Sequence, residues 1–543
     1  MNARNAKPAR NAASTAPEAL FFDDFDQVSE KVRGKVALID GVLHISDDLK
    51  GNMNMIALVA RLRRRGISSP VFHKPSEFEE KYAKFAVRRA RGQNEIQQLA
   101  IDLIARAHKA GASDIHIVDT GTYTRIKFRV LGLLREDSQM EAETGRQMIS
   151  TIYGILGQSA DSPSFNSIER QDGRVVKRDY LPEGVHSVRI HTEPIECAHA
   201  ENGTGTFMAL RLLYDSTMAT GSLAERLSAL GFAQSQCRDM DFLTKRTGLT
   251  VISGPTGHGK STVLKHTMES QTETAPEKAY HSVEDPPEFH MRDVNQIKVT
   301  TKQEGDYDRS KRAAAYINAI AGAMRSDSDV LMIGEIRYPE AAVAAIDAAL
   351  TGQSVWATLH ANNGFGIVTR FESLLRSAGY LDPLDVLCDP NVLAGLEYQR
   401  LIPKLCPHCK IPWREIRHGE RGLHIPDDVY QRLSSVLELE EIEGDARHEG
   451  IFVQNYEGCA HCLSGLKNQT VAAEVIVLDM DILGLLRAGN LTQAHAAWRA
   501  KGGMTYIEHA LEHVRQGLVD PVRAESRLGV PWTFHKFFDQ GTA

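Results

Sequence analysis

The chain has 543 residues, 42% of them hydrophobic and 24% charged, with 63 Lys and Arg against 70 Asp and Glu for a net charge of −7. That length predicts three or four domains at roughly 100–200 residues each, and the apolar share is enough to give each a core. The mild acidity leaves no global basic field to attract nucleic acid or anionic lipid, and no apolar run approaches the ~18–20 residues that span a bilayer.

The opening MNARNAKPARNAASTAPEA lacks the apolar centre of a secretory signal and predicts a disordered tail on a cytoplasmic protein. KVALIDGVLHIS (35–46) predicts a hairpin turning at Asp40-Gly41, and ALVARLRRRG (57–66) a basic helical stretch with a solvated arginine face. NEIQQLAIDLIARAHKAGASDIHI (94–117) has helical apolar spacing up to Gly111, then a strand. TRIKFRVLGLL (124–134), HSVRIHTEP (186–194) and MALRLL (208–213) alternate as half-buried strands do. A helical segment over 223–246 leads into strand GLTVIS, and strands alternate with helices to about residue 400, as in a parallel sheet covered on both faces. The predicted division is a tail (1–20), a divergent N-terminal region (21–91), a small α+β domain (92–220), an α/β domain (221–400), a cysteine-bearing insert (401–470) and a helical C-terminal region (471–543).

GPTGHGKST, from Gly254 through Pro255, Thr256, Gly257, His258, Gly259, Lys260 and Ser261 to Thr262, fits the phosphate-loop pattern and sits between a buried strand and a helix-forming run. Backbone N–H groups of such a loop and the positive end of the following helix cradle phosphates. Lys260 is expected to reach the β- and γ-phosphates of ATP, and Ser261 to ligate Mg²⁺. In VEDPPEF (283–289), Glu284 and Asp285 close a strand that Pro286 and Pro287 forbid to continue; they either position a water or cap a turn. VLMIGEIR (330–337) is a second buried strand that ends in Gly334 where a nucleotide enzyme commonly has Asp, so that Glu335 is the first carboxylate and is expected to orient the attacking water. SVWATLHANN (354–363) delivers Thr358 and His360, the latter as a γ-phosphate contact or a subunit-interface sensor.

Cys406/Cys409 and Cys459/Cys462 are two C-x-x-C pairs, a spacing that gives two thiolates per tight turn and closes a tetrahedron around zinc. His408 and His461 inside those turns are expected to be bystanders. His509 and His513, one helical turn apart, are expected on a solvated surface.

The series GPTGHGKS, VEDPPEF, VLMIGEIR and TGQSVWATLH resembles, in order and wording, the secretion ATPase superfamily of type II secretion and type IV pilus assembly motors, in its tetracysteine branch. GASDIHI, RQDGR (170–174), HSVRIHTEP, YQRLIPKLCPHCK (398–410) and GCAHC (458–462) extend the resemblance over about residues 92–520. It implies a RecA-like P-loop domain preceded by a small PAS-like α+β domain. It also implies arginines that reach the nucleotide, for which Arg174 and Arg189 match and Arg211 is a weaker third. Partners implied are other copies of the chain in a hexamer and an inner-membrane platform protein, with membrane contact only through partners and no nucleic acid. His258 for Ser, Tyr338 and Asn363 for Asp, and GLKNQT after the second cysteine pair depart from the family wording and point to a specialised branch. Two rivals are a nucleic-acid motor on the same core, disfavoured by the acidic LELEEIEGDARHEG of the insert, and an ATP-binding scaffold without turnover.

Overall fold

The computed structural model describes residues 35–39, 42–52, 55–56, 59, 70–81, 89–159, 164–200, 203–215, 221–299, 309–413, 415, 427–437 and 450–532. Its internal contacts separate two units, Met1–Leu103 with Glu143–Leu156, and Ile104–Ala142 with Gly157–Ala543. In the first unit the expected hairpin is present: β1 (Val36–Ile39) pairs antiparallel with β2 (Val42–Ser46), and β3 (Val71–His73) joins β2 in parallel before α1 (Pro75–Lys81); α3 (Ala142–Thr151) belongs to the same unit from Glu143 on. The tail expected over 1–20, the Asp40-Gly41 turn, most of the basic stretch 57–66 and most of the acidic segment 437–450 lie outside the described residues.

The second unit opens with the last turns of α2 (Arg89–Lys109), then an antiparallel sheet in the order β6-β5-β4-β10-β9-β8-β7. Its strands are β4 (Ala112–Asp119), β5 (Tyr123–Val130), β6 (Leu133–Glu141), β7 (Gln158–Ser159), β8 (Gln171–Val175), β9 (Val185–Glu196) and β10 (Thr204–Tyr214). Alternation decides which face each side chain takes: Thr124, Ile126, Phe128 and Val130 of β5 are buried while Arg125, Lys127 and Arg129 are not. The single strand expected at 124–134 is instead a hairpin. Leu131 and Gly132, both at positive φ (52° and 77°), turn the chain inside an apolar run that carried no other turn signal than one glycine. Across the outer face, Arg129, Asp114, Arg211, Arg189 and Arg174 are successive cross-strand partners. Four guanidiniums and one carboxylate thus form a single row.

The helical stretch at 223–246 is two helices, α4 (Leu223–Leu230) and α5 (Gln234–Thr244). A capping box at Ser222 and Glu225 starts α4, and Gly231, left-handed at φ 105°, stops it. A second sheet follows in the order β13-β12-β14-β15-β11-β16-β19, parallel apart from its edge strand β19. The strands are β11 (Gly248–Ser253), β12 (Tyr280–Glu284), β13 (Asn295–Lys298), β14 (Val330–Ile333), β15 (Ser354–Leu359), β16 (Leu393–Leu405) and β19 (Leu466–Val477). Every residue of β11, β12, β14 and β15 is buried, as parallel strands covered on both faces require. One face packs on α7 (Arg309–Met324), α8 (Pro339–Leu350) and α9 (Gly364–Ser377), and the other on α4, α5 and α6 (Lys260–Thr274). β17 (Ile411–Pro412) and β18 (Phe452–Val453) pair beside the cysteines. The described helices that finish the unit are α10 (Asp427–Leu437), α11 (Met480–Arg487), α12 (Leu491–Ala500), α13 (Tyr506–Arg515) and α14 (Pro521–Leu528).

His509 and His513 do not face solvent, as expected from their glutamate neighbours; both are buried on α13. The Ala473 N–H donates to His509 Nδ1 at 3.1 Å, and His513 Nε2 donates to the Val471 carbonyl at 2.8 Å. The two rings thereby satisfy backbone groups of the edge strand β19, whose outer side has no neighbouring strand among the described residues.

Candidate nucleotide-binding and catalytic site

The P-loop joins β11 to α6 as the pattern requires, with β11 flanked by β15 and β16. Gly254, Gly257 and Gly259 all hold φ values between 77° and 149°. At Gly254 the space is closed as well, since a Cβ would lie 2.3 Å from the Gln399 carbonyl. Lys260 Nζ donates to the carbonyls of Gly254 (2.8 Å) and Pro255 (3.2 Å). Its burial lowers the ammonium pKa, and Glu335, Glu288 and Glu397 oppose that shift. Thr256 and Gly257 are exposed at the loop tip, while Ser261 and Thr262 are half-buried in the first turn of α6.

His258 points into the protein. The Leu401 N–H donates to its Nδ1 at 2.9 Å, and its carbonyl accepts from Gln399 Nε2 at 2.5 Å. Burial, with Arg527, Arg400 and Lys260 nearby, pushes its pKa down to about 3, so the ring is neutral.

Four backbone contacts fix Gly334-Glu335-Ile336. Gly334 N–H donates to the Val283 carbonyl, Thr358 Oγ1 to the Gly334 carbonyl, Glu335 N–H to Tyr316 Oη, and Ile336 N–H to the Thr358 carbonyl. A Cβ at Gly334 would sit 3.2 Å from the Val283 carbonyl and 3.4 Å from Glu284 Cγ. The glycine thus makes room for the end of β12, which answers why the usual aspartate is missing. The carboxylate arrives one residue later on a backbone pinned by Tyr316 and Thr358.

Glu335 accepts from Arg337 Nη2 at 2.6 Å and lies 3.3 Å from His360 Nε2. Burial pushes its carboxyl pKa up, but the hydrogen bonds from His360 and Arg337 and their charge outweigh it and hold the group near 2. His360 Nδ1 lies 3.1 Å from the Gly254 carbonyl, so one imidazole bridges the P-loop and the carboxylate. The residues expected to act together, Lys260, Glu335 and His360, are brought together, and Arg337, Tyr316 and Gln399 join them. Arg337 was visible in the wording Gly-Glu-Ile-Arg; Tyr316 and Gln399 had no local signal.

Glu284 is buried beside Gly334. Its Oε1 accepts from Ser282 Oγ (2.7 Å) and Gln296 Nε2 (3.0 Å), and burial raises its pKa. Asp285 takes both Nε and Nη2 of Arg312 at 2.8 and 3.1 Å.

The model of the family described as "Type II/IV secretion system protein" matches residues 89–527. The chain belongs to that family. It is 29% identical over 432 residues to the type IV pilus assembly ATPase PilB of Thermus thermophilus, an alignment covering 78% of this chain and 42% of that protein. It is 28% identical to type II secretion system protein E of Dickeya dadantii, over 77% of this chain and 72% of that one. In fold it resembles the Legionella pneumophila ATPase DotB, with TM-score 0.52, 18% identity, and 79% and 95% of the two chains covered.

The arginines that the secretion-family resemblance singles out sit on neighbouring strands. Arg174 of β8 is opposite Arg189 of β9, and Arg174 Nε donates to Ser187 Oγ at 2.9 Å. Neither guanidinium hydrogen-bonds to the P-loop or to Glu335 among the described residues. Asp172 of the same strand lies within electrostatic reach of Arg189 and of Arg312, which holds Asp285.

The four cysteines converge. Sγ–Sγ separations are 3.7 Å for Cys406–Cys459, 3.7 Å for Cys409–Cys462 and 3.6 Å for Cys459–Cys462. A tetrahedron with metal–sulfur bonds of about 2.3 Å has edges of about 3.8 Å, so the four sulfurs fit one metal ion. The N–H groups of Cys459 and Gly465 both point at Cys462 Sγ at 3.2 Å, as they would toward a thiolate. His408 and His461 lie ring against ring, centroids 4.6 Å apart and planes tilted by 38°, and belong to no metal-holding cluster among the described residues.

Proposed function

We propose that this chain is a cytoplasmic, homohexameric motor that couples ATP hydrolysis to pilus assembly or protein export through an inner-membrane platform protein. It is an ATPase of the secretion-system family, whose relatives are named for pilus assembly and type II secretion. The observation that carries the proposal is the Gly254–His360–Glu335 bridge, which ties the phosphate-holding loop to the ionised acid.

In this reading the P-loop, from Gly254 to Thr262, takes the phosphates of ATP. Lys260 leaves the Gly254 and Pro255 carbonyls for the β- and γ-phosphates. Ser261, directly after Lys260, has the hydroxyl that would hold Mg²⁺, which shields phosphate charge when bound. Arg337 and His360 occupy Glu335 in the free state. Release from them frees the carboxylate to orient the attacking water and accept its proton. His360 reports the γ-phosphate through the carbonyl it holds, and Glu284 lines the same cleft beside Gly334, its carboxyl pKa raised by burial. Arg174 and Arg189 reach transferring phosphate only when their sheet closes on a nucleotide, in the same subunit or the next one. The tetracysteine site is assigned to zinc, whose d¹⁰ ion accepts four thiolates without geometric preference. Its role is to fold the knuckle.

The acidic insert disfavours a nucleic-acid motor. A non-hydrolysing scaffold is separated by phosphate release. Lys260→Ala is expected to lose nucleotide binding and turnover together, whereas Glu335→Gln keeps binding and loses turnover by at least about a hundredfold, the low end for a general base. Turnover at the parent rate in Glu335→Gln would remove that acid from the mechanism.

A further inference from the structure

Outside the catalytic constellation, positive charge accumulates where the β5–β6 turn, β16 and α14 meet. Arg129 Nη1 and Arg527 Nη1 both donate to one acceptor, the Gly132 carbonyl, at 3.2 and 3.4 Å. Arg400 Nη1 donates to the Arg527 carbonyl at 3.0 Å, and Arg523 stands one turn before Arg527 on α14. The partners of these four guanidiniums are almost all neutral. Arg400 Nε bonds to Tyr398 Oη and Arg523 to Gln454 Oε1. Two neighbouring carboxylates are engaged elsewhere. Asp114 is 3.8 Å from Arg129 but bonds Arg211 at 2.9 Å, and Asp520 accepts the backbone N–H groups of Gln454 and Arg523.

Like charges crowded in a half-buried place repel, and guanidinium N–H groups without acceptors forfeit hydrogen bonds they would have in water. Three donors here lack an acceptor among the described residues. Arg527 Nε is buried and unpartnered. Because Leu401 N–H donates to His258 Nδ1, the neutral ring carries its proton on Nε2, and that N–H faces the Arg527 Nη2 donor at 3.4 Å. Two donors cannot satisfy each other; both need a common acceptor.

We propose that Arg129, Arg400, Arg523 and Arg527, with His258 Nε2–H, form an anion site beside the P-loop for a phosphorylated ligand bearing at least two phosphate charges. Forked guanidiniums suit tetrahedral oxyanions, and four of them need more than one negative charge for balance. The ligand's phosphate is either part of the nucleotide on the P-loop or belongs to a second molecule. His258 joins the site to that loop, so occupancy at one is felt at the other. This site goes beyond the motor proposal and does not depend on it.

The test is calorimetric titration of the full chain carrying Lys260→Ala with inorganic pyrophosphate, repeated with Arg523→Gln and Arg523→Lys added, and of the parent and Arg523→Gln chains with ATPγS. Arg523→Gln is expected to weaken at least one probe roughly tenfold, as for one lost charge-assisted hydrogen bond, with partial recovery in Arg523→Lys and affinity that falls as salt rises. Arg129→Gln, on a separate element, is expected to act likewise, and thermal melting checks that each variant is folded. Pyrophosphate that still binds the parent chain saturated with ATPγS assigns the site to a second ligand. Pyrophosphate excluded by ATPγS, together with weaker ATPγS binding in Arg523→Gln, assigns it to the nucleotide. Unchanged affinity for both probes in Arg523→Gln and Arg129→Gln overturns the site. Lost ATP turnover with intact pyrophosphate binding would count against the motor proposal alone.

Discussion

At the scale of single residues, two carboxyl groups are shifted in opposite directions and predict opposite pH behaviour. Glu335 is held near 2 by His360 and Arg337, below its ordinary 4.5, so its stabilising contribution is present above pH 4.5 and is lost as pH falls toward 2. Glu474, fully buried on β19, has its carboxyl pushed by burial up to about 7 despite the Gly364 N–H it accepts. The folded state therefore binds a proton the unfolded chain releases, and stability falls as pH rises from 4.5 to 7. Glu474→Gln keeps the acceptor oxygen and removes the titration. Melting scans of that variant should show a gain over the parent at pH 8 and little difference at pH 4.5; equal melting at both would count against burial as the cause. Gly334→Ala tests the other local device. The added methyl meets a backbone carbonyl 3.2 Å away and displaces Glu335, so turnover should fall about tenfold or more, with nucleotide affinity held within about twofold. The Gly-Glu wording was legible in the sequence, but its reason was not, because the obstruction comes from β12, some fifty residues earlier. Likewise Lys260 and Cys406 could be assigned from short spacings, whereas Tyr316 under Glu335 depends on how α7 packs across the sheet.

At the scale of elements, local pattern predicted strands and helices well where one signal dominated. It failed where two elements shared one continuous pattern. The apolar run across Leu131-Gly132 concealed a turn, and the amphipathic stretch at 223–246 concealed Gly231 ending one helix before the next begins. The α13 histidines misled for the opposite reason. Glutamates flank them in sequence, yet the helix turns the histidines inward, onto an edge strand only the fold supplies. His513→Ala should leave the Val471 carbonyl without its donor and open a cavity, destabilising the protein by about 1–3 kcal/mol, measured by denaturant unfolding. The cysteine knuckle makes a sharper prediction. Purified protein should contain about one zinc per chain by elemental analysis, and Cys406→Ser should lose most of it while leaving the remaining thiols reactive. Metal-free parent protein with four reactive thiols would end that assignment.

At the scale of the whole molecule, no described helix is long and apolar enough to cross a membrane. Arg174 and Arg189 stand away from the P-loop hydrogen-bond network in this conformation. In the proposed hexameric motor, work would come from bringing them to it. A variant that binds but does not hydrolyse should accumulate the closed ring, so Glu335→Gln with ATP is expected to sediment at about six times the 60.1 kDa chain mass, and Lys260→Ala is not. The sequence carried the family and the order of its chemical motifs. It carried nothing of the charge row on the first sheet, because cross-strand partners lie far apart along the chain and only pairing brings them level.

β16 meets both special sites. Near its middle, the Gln399 carbonyl closes the space at Gly254 of the phosphate loop, and Cys406 follows its last residue. About 23 Å of backbone separates the two points, paired with β19 apart from an irregularity at Pro403–Leu405, so that fraying at one end slackens the other. If the four sulfurs hold zinc as proposed, its removal should therefore blunt the chain's grip on nucleotide, even though the cysteines lie outside the phosphate loop.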